Sequence, residues 1–170
     1  ITDNSENTPD NPYDETVTPP VENDLDTITI KLFAIDENGD RVPANEVAEG
    51  ASAEYIAVAF DKDGNEVLQG ETVEVTFGND ADASTKDASG NDVDYVSTTQ
   101  TVILGTAFTT ATVDDFLADD EEVYTVQITD GTLSNEENYE TVVIDTTLVT
   151  TTITDNSENT PDNPYDETVT

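Results

Sequence analysis

The two ends of this 170-residue chain carry the same 18-residue sequence. Residues 1–18 and residues 153–170 both read ITDNSENTPDNPYDETVT, and the two copies are offset by 152 residues. A match of this length does not arise by chance, so the chain holds one whole repeat and the beginning of the next. We therefore expect a parent protein built as a tandem array, in which each unit contacts its neighbouring repeats.

The charge of the chain is strongly one-sided. It has 40 acidic residues against 4 basic ones, for a formal net charge of −36. Such a chain repels nucleic acid and anionic membrane surfaces, so we expect neither as a partner. The like charges also repel one another and oppose a compact fold. Bound cations would offset that repulsion, which makes cations the natural partners.

The sequence contains neither cysteine nor histidine. Their absence removes the usual ligands of zinc, copper and iron–sulfur clusters, together with the usual base of a catalytic triad. Carboxylates, amides, hydroxyls and backbone carbonyls remain, and these are the ligands of Ca²⁺. Without disulfides, an extracellular domain needs another source of stability, for which Ca²⁺ is the candidate. No nucleophile–base pair stands out, so we do not expect an enzyme.

Proline and glycine divide the chain into linkers and a folded body. Six of the seven prolines lie in or beside the two copies of the repeated motif, whereas all eight glycines lie between Gly39 and Gly131. We predict a linker over residues 1–18, a domain over residues 19–155 and the linker of the next repeat over residues 156–170. No apolar run approaches the roughly 20 residues of a membrane-spanning helix, so we expect no membrane insertion.

The body shows the alternation that is typical of β-strands. Apolar residues recur at every second position in residues 27–32, 55–60, 73–77 and 124–128, and more weakly in 100–104, 107–113, 140–146 and 148–154. In the second run, Ile56, Val58 and Phe60 occupy every second position and are expected on one face of the strand. The pattern predicts an all-β fold, an Ig-like antiparallel β-sandwich of about seven to nine strands.

Two glycine turns contain fragments of Ca²⁺-binding loops. They read DENGD and DKDGN and begin at Asp36 and Asp61. An EF-hand loop that began at Asp61 would need glycine and glutamate where the chain has Glu66 and Thr72. We therefore interpret both segments as hairpin turns.

A dense acidic run follows one of the weaker strands. Six carboxylates lie between Asp114 and Glu122, in the sequence DDFLADDEE. Carboxylates this close repel one another, and a Ca²⁺ ion among them would relieve the repulsion. The run is therefore either a Ca²⁺ site or a solvated acidic loop in an acidic protein.

The acidic run belongs to a longer pattern that resembles the Calx-beta family, a Ca²⁺-binding Ig-like sandwich. That family has an early Glu-Gly pair, an Asp-Tyr pair, paired aspartates, an acidic loop, a strand with aromatic-x-Val-x-Leu and a closing Val-Thr-Ile-x-Asp-Asp. The matching segments of this chain are Glu49-Gly50, Asp94-Tyr95, Asp114-Asp115, Asp119 with Glu122, residues 124–128 and residues 151–156.

The resemblance spans about residues 45–155 and implies that carboxylate ligands of Ca²⁺ gather at one end of the sandwich. The implied ligands are Glu49, Asp94, Asp114, Asp115, Asp119, Glu122 and Asp155. The family's Gly-Thr-Ala before Asp-Tyr is missing, and Asn156 replaces the second closing aspartate. These departures leave the number of ions open.

The linker motif offers further oxygen donors and contains no base. Asp3, Glu6, Asp10 and Asp14 are spaced three or four residues apart in a proline-rich segment, and such spacing can present several oxygens to one Ca²⁺ ion. Asp155 is the third residue of the second copy, so the implied site adjoins the joint with the next repeat. The alternative is a disordered acidic spacer.

Repeated acidic sandwiches joined by such linkers resemble, in architecture and composition, the extender region of large bacterial RTX adhesins. Type I systems secrete these proteins, which hold cells to surfaces or to one another. The resemblance implies an extracellular, Ca²⁺-stabilised spacer on the bacterial cell surface that projects a distant adhesive region. Two alternatives remain, a Ca²⁺-sensing Calx-beta-type regulatory module and a surface ligand-binding domain.

Overall fold

The computed structural model describes residues 27–67, 70–79, 94–114 and 122–154, which form eleven strands and one 3₁₀ turn at Glu136–Asn138. The strands are β1 Thr27–Ile35, β2 Arg41–Val42, β3 Ala44–Ala48, β4 Ser52–Asp61, β5 Glu66–Val67, β6 Thr72–Asn79, β7 Gln100–Ile103, β8 Ala107–Ala111, β9 Glu122–Ile128, β10 Thr141–Ile144 and β11 Val149–Thr154. The all-β prediction is confirmed. In these residues, no helix is long and apolar enough to cross a membrane.

The strands pair into two sheets. In the first sheet β1 and β4 pair along most of their length, β10 and β2 flank β1, and β5 and β8 flank β4. The second sheet has the order β3-β11-β9-β6-β7. Most pairs are antiparallel, as predicted, whereas the pairs of β1 with β10 and of β3 with β11 are parallel. Parallel partners cannot be joined by a short hairpin, so the chain crosses between the sheets.

The core lies between the sheets and is formed by alternate residues of the long strands. The runs predicted for β1, β6 and β9 supply their expected apolar faces. These faces consist of Ile28, Ile30, Leu32, Val73, Val75, Tyr124, Val126 and Ile128. The burial of such side chains stabilises the fold by roughly 25 cal/mol for each Å² of apolar surface removed from water.

Strand β4 departs from the single apolar face that its pattern indicates. Its core side holds Ala53, Tyr55, Ala57 and Ala59. Ile56 and Val58 are also buried, but they lie outside the core cluster. Because side chains alternate along a strand, Ile56, Val58 and Phe60 lie on the outer face of the first sheet. Strand β4 is therefore apolar on both faces.

The described chain begins and ends at opposite poles of the sandwich. Strand β1 begins where β4 finishes, because Ile28 pairs with Asp61. Strand β11 ends where β3 ends, because Thr154 pairs with Ala48, and a three-residue turn leads from there to the start of β4. The pole that holds Thr27 is termed the N-terminal pole, and the pole that holds Thr154 is termed the C-terminal pole.

The two glycine turns are hairpin turns, as predicted, and aspartate side chains close them. Asp36 Oδ1 accepts hydrogen bonds of 2.9 Å from the backbone N–H groups of Asp40 and Asn38. Asp61 Oδ1 accepts the equivalent pair in the second turn. These bonds favour the ionised form and hold the pKa of both aspartates below its ordinary value. The two carboxylates thus serve the turns.

A chain of buried hydroxyl groups links the two sheets inside the core. Tyr55 Oη, on β4, lies 2.7 Å from Tyr124 Oη on β9 and 2.5 Å from Thr151 Oγ1 on β11. Thr151 in turn donates to Asn45 Oδ1 on β3 at 2.6 Å. Each hydroxyl has a partner, so the polar groups are buried without the cost of an unmade hydrogen bond.

Four tyrosines have a raised pKa, and we therefore expect the protein to unfold in alkali. Burial raises the pKa of Tyr95 to about 12, and burial together with a hydrogen bond to Glu71 raises that of Tyr139 to about 12. Burial also raises the pKa of Tyr55 and Tyr124. Because the folded state keeps these phenols protonated, their contribution to stability is complete below the unfolded pKa of about 10 and is lost toward pH 12.

We expect circular dichroism to report unfolding over the same pH range in which tyrosinate absorbance rises. Ionisation of all the tyrosines near their ordinary pKa, with the fold intact, would contradict this prediction.

Candidate metal site

Four of the predicted ligands lie among the described residues, and all four are at the C-terminal pole. Glu49 follows β3 and Glu122 begins β9, while Asp94 and Asp114 lie on two segments joined by a short β-bridge. The remaining predicted ligands lie outside the described residues. They are Asp115, Asp119, Asp155, Asp3, Glu6, Asp10 and Asp14.

Strand pairing places Glu49 and Glu122 on either side of the end of β11. Ile153 pairs with Glu122 on one edge of β11, and Thr154 pairs with Ala48 on the other. The N–H of Glu49 donates to the carbonyl of Thr154 at 2.9 Å, which extends this ladder by one residue. The end of the last strand is thus bordered by two glutamates.

Asp114 packs directly against the turn that carries Glu49. A Cβ atom placed on Gly50 would lie 3.2 Å from Asp114 Cβ and 3.6 Å from Asp114 Oδ2. Gly50 also has a φ angle of 72°, in the left-handed region that favours glycine. A residue without a side chain is therefore needed here twice, for the backbone of the turn and for the approach of Asp114.

Hydrogen bonds fix both acidic segments to the turn between β3 and β4. Thr112 Oγ1 lies 3.1 Å from the carbonyl oxygen of Ala48 and 2.9 Å from that of Ala51. The N–H of Val113 donates to the carbonyl of Asp94 at 2.9 Å. The segment of Asp114 is thus bonded to the turn, and the segment of Asp94 is bonded to that of Asp114.

Two of the four described carboxylates at this pole are buried, and one oxygen of a third is buried as well. Glu49 is 8% exposed and Asp94 is 6% exposed. Asp114 Oδ1 is buried and accepts no hydrogen bond from the part of the chain that the structure describes. A buried acceptor without a donor costs about 1–3 kcal/mol, and more when the group is charged. A cation bound beside Asp114 would remove that cost. Carboxylate oxygens are among the ligands that Ca²⁺ takes.

These carboxylates do not complete a metal site by themselves. Within residues 27–67, 70–79, 94–114 and 122–154, no group of three or more acidic side chains is placed to hold a metal ion. Since Ca²⁺ takes about six to eight oxygen ligands, further donors must come from elsewhere in the chain or from water. The structure brings Asp114 to the turn of Glu49, and the full ligand set stays a prediction.

A third buried carboxylate, which the sequence did not mark, lies near the N-terminal pole. Glu71 precedes β6 and is 6% exposed, and its Oε1 accepts a 2.9 Å hydrogen bond from the hydroxyl of Tyr139. Its other carboxylate oxygen, Oε2, is buried without a hydrogen-bond partner. Glu71 belongs to no acidic run, and its partner is 68 residues away, so spacing along the chain could not find it.

Comparisons with known proteins found similar structures but no matching sequence family. No family profile matches this chain, and neither does any curated protein. The crystal structure of the apo-form Calx CBD1 domain is similar, with 14% identity and a TM-score of 0.44 over 76% of this chain and 97% of that one.

Two larger structures are also similar. One is the calcium-binding domain CBD12 of CALX1.1, with 16% identity and a TM-score of 0.48 over 74% of this chain. The other is CBD12 from CALX1.2, with 17% identity and a TM-score of 0.46 over 73% of this chain. This chain spans 44% of the length of each CBD12 chain.

Proposed function

We propose that this chain is a Ca²⁺-stabilised extender repeat of an adhesin on the bacterial cell surface. In this proposal, Ca²⁺ binds at the C-terminal pole of the sandwich and in the joint to the next repeat. The observation that carries the proposal is the buried Oδ1 of Asp114, which lies against the turn of Glu49 and has no hydrogen-bond donor among the described residues. A bound cation supplies the missing partner.

The proposed ligands combine the described carboxylates with others close to them in sequence. Asp115 follows Asp114 directly, and Asp155 follows Thr154, whose carbonyl already accepts a hydrogen bond from Glu49. The proposed set is Glu49, Asp94, Asp114, Asp115, Asp119, Glu122 and Asp155, with Asp3, Glu6, Asp10 and Asp14 serving the joint.

The charge of the chain makes folding depend on the Ca²⁺ concentration, which differs between the inside and the outside of the cell. At low Ca²⁺ concentration, a net charge of −36 opposes a compact state and favours the unfolded chain that a secretion channel requires. Extracellular modules bind Ca²⁺ with dissociation constants of about 10⁻⁴–10⁻³ M, so external Ca²⁺ suffices for binding and cytosolic Ca²⁺ does not. Folding is thereby confined to the outside of the cell.

The opposite positions of Thr27 and Thr154 favour a linear array, because the next repeat can follow without the chain turning back. A flexible linker of 18 residues would have an end-to-end distance of about 23 Å and would let neighbouring domains swing. Carboxylates of the joint that share Ca²⁺ restrict this motion and turn the string of domains into a rod.

A chain of two complete repeats is expected to become longer and stiffer when Ca²⁺ is added. Small-angle X-ray scattering in Ca²⁺ and in EDTA measures the change, and the same concentration of Mg²⁺ provides the control. We expect a larger maximum dimension and a narrower distribution of distances in Ca²⁺ alone. A flexible profile that Ca²⁺ leaves unchanged would contradict the extender proposal.

A further inference from the structure

The outer face of the first sheet carries a second apolar cluster. Ile56 and Val58 are 8% and 0% exposed, although they do not belong to the core. Phe33 and Phe60 lie beside them, with ring centroids 6.4 Å apart and ring planes at 76°. The outer face of an antiparallel sheet that meets only water is normally polar. Ile56 and Val58 are already buried within the chain, so the apolar surface that a further segment could contact is that of Phe33 and Phe60, which are half-buried.

Three of the four basic residues of the chain surround this cluster. Lys31 and Lys62 line a groove of about 370 Å³ together with Phe33 and Phe60. Arg41 lines a second groove of about 250 Å³, which Lys31 and Phe33 share. The outer face is defined here by these five residues with Ile56 and Val58.

The outer face is close to neutral in a strongly acidic protein. Arg41, on β2, forms an ion pair with Glu66, on β5, and the pair reaches across β1 and β4. Asp61 lines the first groove and Asp145 lines the second, so the basic groups do not stand alone. An acidic partner would meet less repulsion here than it would at the carboxylates of the C-terminal pole.

We propose that the outer face binds the acidic Pro-x-x-Pro motif of the chain's own linker, residues 9–12, within residues 1–18. Pro-x-x-Pro segments favour the polyproline II conformation, and they dock in grooves lined by aromatic side chains at a low cost in entropy. Phe33 and Phe60 provide such side chains, and Lys31 offers positive charge to the acidic residues of this segment. The inference deepens the proposed function, because it names a surface that holds the joint.

The covalent connection favours this occupant over a free partner. Residues 1–26 contain eight acidic residues and no basic one, and they lead directly into β1, which carries Lys31 and Phe33. Pro12 precedes Thr29 by 17 residues, which span up to about 56 Å when extended, so the motif can reach back along the face. Such a tether gives an effective concentration on the order of millimolar.

A second copy of the domain fits the outer face less well. Two chains with a net charge of −36 repel each other. In a symmetric dimer, the outer face would also meet itself, which would place Lys31 and Lys62 of one copy near the same cations of the other.

A spin label in the full 170-residue chain tests the proposal. The sequence has no cysteine, so Ser5→Cys carries one nitroxide on the first motif, and Ser157→Cys carries one on the identical second motif. In Ca²⁺-containing buffer, we expect the first label to broaden the amide NMR signals of Lys31, Phe33 and Phe60 selectively. We expect weaker broadening there from the second label, since its motif is joined at the opposite pole.

Two variants separate docking from mere proximity. Lys31→Glu removes a basic partner, and the double variant Pro9→Ala/Pro12→Ala alters the motif without touching the sandwich. Both are expected to abolish the selective broadening. Lys86→Glu makes the same change of charge at a residue outside the described part of the chain and is expected to leave the broadening intact.

Uniform broadening over the whole domain, stronger broadening from the second label, or broadening that survives both variants would overturn the proposal. Broadening of an unlabelled chain by a separate spin-labelled chain would assign the face to a second copy. Thermal unfolding with and without Ca²⁺ is measured on the same samples, so failure of Ca²⁺ to stabilise the fold is distinguishable from failure of the linker to dock.

Discussion

Replacement of Tyr124 by alanine is expected to lower the free energy of unfolding by about 3–5 kcal/mol. The side chain is fully buried, and its ring stacks on Tyr95 with centroids 4.1 Å apart and planes at 9°. It also lies 6.5 Å from the ring of Phe77. The alanine variant therefore loses aromatic contacts and leaves a cavity, and Tyr55 loses one hydrogen-bond partner. Urea unfolding followed by circular dichroism measures the loss.

Tyr124→Phe is the matched control, because it keeps the ring and removes only the hydroxyl. Tyr55 retains its 2.5 Å contact with Thr151, so no hydroxyl of the network is left without a partner. We expect a cost of about 1 kcal/mol, the net value of an ordinary hydrogen bond. Equal losses from the two variants would show that the hydroxyl, and not the packing of the ring, accounts for the effect.

Asp114→Asn is expected to remove most of the stability that Ca²⁺ adds. At a Ca²⁺ concentration of 100 times the dissociation constant, one site adds about 2.7 kcal/mol to the free energy of unfolding. The variant keeps the size of the side chain but removes the carboxylate that lies against the turn of Glu49. Urea unfolding in Ca²⁺ and in EDTA, on the variant and the native chain, measures the difference.

In EDTA the same variant is expected to be at least as stable as the native chain, because one of several like charges at the C-terminal pole has been removed. Glu137→Gln is the control for charge alone. Glu137 is exposed on the 3₁₀ turn, between the end of β9 and the start of β10. This control should keep the full Ca²⁺ gain. An Asp114→Asn chain that also keeps it would remove Asp114 from the ligand set.

The long strands are predictable from sequence because each contains a run of five or six residues in which apolar residues recur at every second position. Strands β1, β4, β6 and β9 were found in this way, as were the shorter β7, β8, β10 and β11. Strands β2, β3 and β5 were not found, because two to five half-polar residues give no clear period. The parallel pairing of β3 with β11 could not be predicted either, since alternation does not encode strand direction.

Which face of β4 lies inside could not be predicted, because both of its residue sets are apolar. The core side of β4 places Tyr55 in contact with Tyr124, and the alanines of β4 lie on that side. The bulkier Ile56 and Val58 lie on the other side. The volume available opposite a strand decides this choice, and that volume depends on residues far away in the chain.

The structure shows where four of the predicted ligands lie, whereas their binding of Ca²⁺ stays a prediction. The resemblance to a family pattern implied that Glu49, Asp94, Asp114 and Glu122 share one pole, where the structure places them. The contacts that hold the acidic segments to the turn were not visible in the sequence. Thr112 reaches carbonyl groups 61 and 64 residues away, and no local motif marks such a partner.

The position of the two terminal strands has a mechanical consequence. Strand β1 lies between β4 and the edge strands β10 and β2, and β11 lies between β3 and β9. Tension applied to Thr27 and Thr154 would act along these strands, so their hydrogen bonds to neighbours on both sides would be loaded in shear and would have to fail together. Neither strand can be peeled away one bond at a time, and resistance to pulling would exceed what the same number of hydrogen bonds could give in an unzipping hairpin.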